Sequence, residues 1–231
     1  MPLSLIGVDA DDTLWHNEPV FRLTHERFNT LLAAFADAET LEAHLSAVEQ
    51  RNLSTYGYGA KGFTLSMIET ALEASGGNVS AETIHEILGF GREMMTHPHE
   101  PLPGVEAALK ELANRARLVL ITKGDLFHQE SKLAASGLGS HFSGVEIVSE
   151  KTSETYARAF VRHGGQVQRA LMAGNSVKSD ILPMLTAGGW AALIPYPLVW
   201  IHEAGDAPDD HLRFKTLANL AALPAWVDEI S

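Results

Sequence analysis

The sequence predicts an α/β fold: a doubly wound, Rossmann-like parallel sheet core with an all-helical cap domain inserted after the first strand. Three observations carry this expectation. Short runs rich in valine, isoleucine, leucine and alanine recur at 5–8, 118–121, 145–148, 170–173 and 191–194. Such runs suit strands covered on both faces, as in a parallel sheet. Beyond Pro103, segments of helical periodicity alternate with these runs, the pattern of a sheet wound with helices. The stretch from Glu18 to His97 holds no convincing strand.

Each element has its own signal. The first strand, Leu5-Ile6-Gly7-Val8, runs straight into a cluster of aspartates. Four helices follow, near 18–36, 40–55, 64–75 and 81–96. The last places Ile84, Ile87, Leu88, Gly91, Met94 and Met95 on one stripe behind Ser80, a suitable N-cap. Pro98, Pro101 and Pro103 mark the return to the core, which gives expected boundaries of 1–16 and 98–231 for the core and 17–97 for the cap. A helix over 105–113 starts behind Pro103-Gly104 and carries Val105, Ala108, Leu109 and Leu112 on one face. Helices over 126–136 and 153–161 come next, then one through Ile181, Leu182 and Leu185 that stops at Gly188-Gly189. Residues 203–210, with Gly205 and Pro208, read as a surface loop before a short tail.

Composition narrows the function. Among 231 residues, 17 Lys+Arg face 29 Asp+Glu, a net charge of −12. That balance disfavours nucleic acid and anionic membranes, which attract clustered positive charge. Without cysteine there are no disulfides, thiolate metal sites or cysteine nucleophiles. The first residues carry no basic leader, and no apolar run approaches the roughly 18 residues of a membrane span. The expectation is a soluble cytoplasmic protein with a small-molecule partner and neither a nucleic-acid nor a membrane partner; no feature assigns an oligomeric state.

Open α/β sheets bind ligands where strand-to-helix loops converge at the carboxyl ends of the strands. Those ends carry Asp9, Asp11, Asp12 and Thr13 after the first strand, and Thr122, Lys123 and Asp125 after the second. Glu150 and Lys151 follow the third, and Gly174, Asn175 and Asp180 follow the fourth. Carboxylates, a hydroxyl, lysines and a carboxamide on one rim are the inventory for a divalent cation held with a phosphate. Asp9 and Asp11 share one side of an extended chain, so one can attack phosphorus while the other handles the leaving-group proton. Neighbouring carboxyls also separate in pKa, which suits a nucleophile beside an acid. Thr122, with backbone N–H groups at a helix start, suits phosphate oxygens. Lys151 can neutralise phosphate and nucleophile together. Asn175 and Asp180 offer oxygens to the cation.

Asp9-x-Asp11-x-Thr13 after a strand, then Thr122, then Lys151, then Gly174-Asn175-x4-Asp180, in that order, resembles the haloacid dehalogenase superfamily over nearly the whole chain. The helical insert falls where that superfamily often carries its cap. The resemblance implies that Asp9 is a nucleophile forming an aspartyl-phosphate, and that Asp11 is general acid and then base. It implies Mg²⁺ as cofactor, held by Asp9 and the backbone carbonyl of Asp11, with phosphate held by Thr122 and Lys151; Asn175 and Asp180 are further candidate metal ligands, and Lys123 is a further candidate phosphate contact. The dehalogenase branch lacks the second aspartate, so Asp11 implies Mg²⁺-dependent hydrolysis of a phosphomonoester on a small soluble metabolite. Two positions depart from the usual pattern: Asn175 where aspartate is frequent, and Lys123 where asparagine is. A 2-haloacid dehalogenase-type hydrolase, and a catalytically weakened binding or regulatory protein on the same fold, are the alternative readings.

One motif is declined. Gly57-Tyr58-Gly59-Ala60-Lys61-Gly62 matches G-x-G-x-x-G, yet it follows polar residues of the helical insert, where a dinucleotide site needs a strand. It reads as a glycine-rich cap loop, with Tyr58 and Lys61 as candidate substrate contacts. Trp15 and His16, just after the first motif, are candidates for lining the entrance, with packing as the alternative role.

Overall fold

The computed structural model describes residues 2–231. Among them, six strands form one parallel sheet: β1 (Leu5–Val8), β2 (Arg117–Lys123), β3 (Gly144–Val148), β4 (Ala170–Gly174), β5 (Trp190–Leu193) and β6 (Phe214–Thr216). Their order is β3-β2-β1-β4-β5-β6, with every neighbouring pair parallel. The helices are α1 (Glu18–Leu31), α2 (Ala38–Tyr56), α3 (Ala60–Ala74), α4 (Ala81–Thr96), α5 (Val105–Ala113), α6 (Leu126–Ser136), α7 (Ser153–Arg162), α8 (Leu182–Thr186) and α9 (Leu223–Ile230). None of these helices is long and apolar enough to cross a membrane.

Contacts divide the described chain into two units. The first comprises residues 2–18, 99–123 and 129–231 and holds the sheet. Alternation along the strands gives it two cores. On one face Ile6, Val8, Leu118, Leu120, Leu171 and Ala173 pack with Leu109 and Leu112 of α5 and Trp226 and Val227 of α9. On the other face Leu5, Val119, Ile121 and Met172 pack with Tyr156 and Phe160 of α7 and Met184 of α8. Gly7 belongs to the tighter side: a Cβ there would lie 2.9 Å from Met172 Sδ and 3.1 Å from Phe160 Cζ.

The strand order reverses between β1 and β4, and the loops leaving the two strands part there to opposite sides. This brings the first and fourth motifs to adjacent strand ends. Three elements differ from expectation at the sheet margins. β3 is an edge strand with Val145 exposed, while Glu146 is buried by pairing with Arg162 and His163. β6 and α9 occupy the stretch read as loop and tail. A strand of three residues is too short to show alternation, and α9 is recognisable by Pro224 in its first turn and by buried Leu223, Trp226 and Val227.

The second unit comprises residues 19–98 and 124–128. Its core is Phe28, Leu32, Leu41, Leu45, Phe63, Met67, Ile87, Phe90 and Met94. Asp37 and Ser80 N-cap α2 and α4 by accepting from Thr40 N (2.8 Å) and Thr83 N (3.1 Å). The third helix of the insert begins at Ala60 rather than 64, so Lys61 sits in its first turn and not in a loop.

Candidate active site

The first-motif loop is shaped by its own side chains. Asp9 N donates to Ala173 O at 2.9 Å, extending the β1–β4 pairing one residue past the strand. Asp12 then adopts a left-handed conformation (φ 61°) and turns the chain. Its carboxylate accepts from Asn17 N (2.8 Å) and Glu18 N (3.0 Å), where α1 begins. Burial pushes the Asp12 carboxyl up to about 7. Trp15 is wholly buried and anchors the turn in the sheet core.

The loops after β1, β3 and β4 converge on one buried cluster. The Lys151 ammonium donates to Asp9 Oδ1 and to Asp180 Oδ1, the latter at 2.7 Å, and all three residues are buried. Ser176 N donates to Asp180 Oδ2 at 3.0 Å. Thr13 Oγ1 lies 3.2 Å from Asp9 Oδ2 and 3.4 Å from Asn175 Oδ1. Gly174 makes room for Asp180, since a Cβ on it would stand 2.2 Å from Asp180 Oδ2. Burial pushes the Asp9 carboxyl up to about 7 against the pull of Lys151, with Asp180 and Asp11 adding to the rise. Burial alone would lower Lys151, but Asp180 and Asp9 outweigh it and hold the ammonium protonated. Two buried carboxylates therefore share one cation.

Asp11 belongs to a second cluster. Lys132 Nζ donates to both of its oxygens, at 2.9 and 3.0 Å, Trp15 Nε1 to Oδ1 at 2.8 Å and Gln129 Nε2 to Oδ2 at 3.2 Å. Burial would raise the Asp11 carboxyl, yet the Lys132 charge and these hydrogen bonds together hold it below the ordinary carboxylate value. Thr122, at the end of β2, is buried, and its hydroxyl accepts from Gln129 Nε2 at 2.7 Å. Gln129 and Lys132 were not singled out from the sequence. The sequence carries no signal for them: both are buried, while Leu126 and Phe127 of the same α6 are exposed, the reverse of what polarity suggests.

Lys123 is held by a residue that sequence reasoning placed at the surface. Its ammonium donates to Glu203 Oε1 at 2.5 Å and to Ser179 Oγ at 2.9 Å. Glu203 also accepts from the hydroxyls of Ser176 and Ser179. Lys178 Nζ reaches His202 O at 3.2 Å, so residues 202 and 203 are strapped to the fourth-motif loop. Burial opposes ionisation of Glu203, and Lys123 with the two hydroxyls overcomes it, holding the carboxyl below its usual range. The expectation of a surface loop fails at Glu203 because these polar partners draw it inward.

The four candidate substrate contacts fare differently. Trp15 reaches the site only through its indole N–H. His16 is exposed, with a ring nitrogen 2.5 Å from Tyr196 Oη. Tyr58 is half-buried between α2 and α3. Lys61 donates to Asp125 Oδ1 at 2.9 Å and lies 5.6 Å from the Phe127 ring centre, all within the second unit.

The donor set fits a hard divalent cation. Asp9, Asn175 and Asp180 offer oxygen, and once Asp9 is ionised the two carboxylates exceed the charge of Lys151 by one. Among the described residues no three His, Cys, Asp or Glu side chains gather as a cage, so this set is two carboxylates and a carboxamide.

A buried carboxylate at the end of β1, a buried lysine bonded to it and a second carboxylate two residues on form an arrangement that suits a hydrolase of the α/β class. Residues 3–188 match the model of the haloacid dehalogenase-like hydrolases, and the chain belongs to that family. Among solved structures it is similar to a haloacid dehalogenase-like family hydrolase from Xanthomonas campestris: 41% identity, TM-score 0.89, covering 99% of this chain and 91% of that one. The HAD-hydrolase YfnB from Bacillus subtilis, described as bound to magnesium, shares the fold at 15% identity and TM-score 0.69, over 99% of this chain and all of that one. The N-acylneuraminate-9-phosphatase of Mus musculus is 31% identical over 134 residues, 54% of this chain and 52% of that protein. The chain thus spans about half the length of that curated relative.

Proposed function

We propose that this hydrolase cleaves phosphomonoesters of small soluble metabolites in the cytoplasm, through an aspartyl-phosphate on Asp9. The observation that carries the reading is the buried Asp9–Lys151–Asp180 cluster with Asp11 two residues along. Thr122 and Lys151 hold the phosphoryl oxygens, while Lys123 serves through its hold on Glu203 and Ser179. An Asp9 oxygen attacks phosphorus, the bond from phosphorus to the ester oxygen breaks, and Asp11, which must first take up a proton against the pull of Lys132, gives that oxygen its proton. Water then attacks the aspartyl-phosphate, Asp11 takes a proton from it, and phosphate leaves with Asp9 restored. Asp9, the Asp11 carbonyl, Asn175 and Asp180 would hold Mg²⁺, which when bound supplies positive charge to phosphate and nucleophile. The negative charge of the cluster supports that assignment, and the name of the phosphatase relatives supports the reaction.

A panel of phosphorylated metabolites that includes N-acylneuraminate 9-phosphate, run with and without EDTA, tests reaction, metal and substrate together. The expected result is phosphate release abolished by EDTA and restored by Mg²⁺. Asp9→Asn is expected to lose turnover while keeping the wild-type circular dichroism spectrum. Halide release from a 2-haloacid, insensitive to chelator, would establish the dehalogenase reading instead. Magnesium binding without turnover of any ester would establish a binding protein.

A further inference from the structure

Asp11 is gripped more completely than a carboxylate reaching into solvent would be. Oδ1 accepts from Trp15 Nε1 (2.8 Å) and Lys132 Nζ (2.9 Å), and Oδ2 from Lys132 Nζ (3.0 Å) and Gln129 Nε2 (3.2 Å). Both oxygens have two donors, which fixes the plane of the group as well as its position. Gln129 Nε2 also donates to Thr122 Oγ1 (2.7 Å) and to Lys123 O (2.9 Å), so one amide ties Asp11 to the end of β2. Lys132 reaches Asn17 Oδ1 at 2.8 Å, which fixes the ammonium from its far side. Gln129 and Lys132 are three residues apart on one face of α6, both are buried, and a helix that buries these two while exposing Leu126 and Phe127 forgoes apolar burial to do so.

We propose that Gln129 and Lys132 are positioning residues that set the distance and orientation of the Asp11 carboxyl relative to the phosphoryl group gripped at Thr122. This rests on the phosphatase reading, in which Asp11 protonates the departing ester oxygen. Misplacing an acid harms most the substrate whose leaving group most needs the proton. An alkoxide needs one, whereas p-nitrophenolate departs without it. A general loss of structure would lower both substrates alike.

The experiment measures kcat/KM, which covers the steps through leaving-group departure, for p-nitrophenyl phosphate and for glycerol phosphate. Lys132→Met and Gln129→Leu are compared with wild type, each with its melting temperature; the second variant keeps the test open should the first not fold. The loss for the alkyl ester is expected to exceed that for the aryl ester at least tenfold in both variants. In an Asp11→Asn background, Lys132→Met is expected to lower alkyl turnover no further. Equal losses for the two esters, or full additivity with Asp11→Asn, overturn the positioning role and leave the phosphatase reading standing. Where glycerol phosphate is not turned over, the alkyl ester turned over best in the metabolite panel takes its place, and wild-type protein that hydrolyses no ester of that panel overturns the phosphatase reading and this role with it.

Discussion

Replacing Gly174 with alanine isolates the placement of Asp180 from every change of charge or hydrogen-bonding group. Gly174 ends β4 and does not require a positive φ, so the alanine backbone is unstrained. The added Cβ would stand 2.2 Å from Asp180 Oδ2, 2.3 Å from its Cγ and 2.9 Å from its Cβ. Restoring ordinary contact, about 3.5 Å between heavy atoms, requires the Asp180 carboxylate to retreat by roughly 1 Å. It has no open space to enter, being 1% exposed. The retreat stretches two bonds at once, from Lys151 Nζ at 2.7 Å and from Ser176 N at 3.0 Å. Overpacking of this kind destabilises by about 1–3 kcal/mol, and for a chain of this size each kcal/mol lowers the melting temperature by about 2–4 °C. Displacement of a catalytic constellation by about 1 Å is expected to lower kcat/KM by about a hundredfold. Calorimetry and ester hydrolysis at saturating Mg²⁺ read the two effects separately. A variant within twofold of wild-type kcat/KM and within about 1 °C of its melting temperature would refute both the packing of Asp180 over Gly174 and its part in the reaction.

Other sites give sharper or milder contrasts. Gly7→Ala, whose Cβ would meet Met172 Sδ at 2.9 Å and Ile121 Cδ1 at 3.0 Å, should lower stability by about 1–3 kcal/mol in chemical denaturation while leaving kcat/KM near wild type at 25 °C. Gly89→Ala adds a Cβ with nothing within 4 Å inside α4, so denaturation of the helical unit should shift toward greater stability by about 0.5–1 kcal/mol. Glu203→Gln removes the anion that Lys123 Nζ, Ser176 Oγ and Ser179 Oγ share. Magnesium affinity by titration calorimetry should fall about tenfold or more as the fourth-motif loop loosens, and an unchanged affinity would show that the strap does not support that loop.

The sheet was legible because each strand run from β1 to β5 is short, apolar and followed by polar residues, a pattern that survives without knowledge of the neighbours. β6 was not, because three residues cannot alternate enough to be seen. Asp9, Asp11, Thr122, Lys151, Asn175 and Asp180 stand out in the sequence because strand ends are where loops converge, and the structure brings Asp9, Lys151, Asn175 and Asp180 into one cluster and links Asp11 with Thr122 through Gln129. The partners of that set were not. Lys132 and Gln129 look like surface residues of a polar helix, and Glu203 sits in a glycine- and proline-containing loop. Burial of such groups is decided by where the chain returns in space, which local sequence does not record. Trp15 takes the packing role that stood beside the entrance reading: its ring belongs to the sheet core, and its indole N–H donates to Asp11 Oδ1.

The strap formed by Glu203 lies beyond residue 188, where the family match stops. A fragment cut at that limit would strip Lys123 of its nearer counter-ion, leaving Glu150 at 3.9 Å, and remove β5, β6 and α9 with it. The segment that the family match spans is thus smaller than the sheet, of which it lacks β5 and β6, and it lacks one acidic partner of the rim. Chimeras that exchange this region between relatives will need to carry the acidic residue and the basic one as a matched pair.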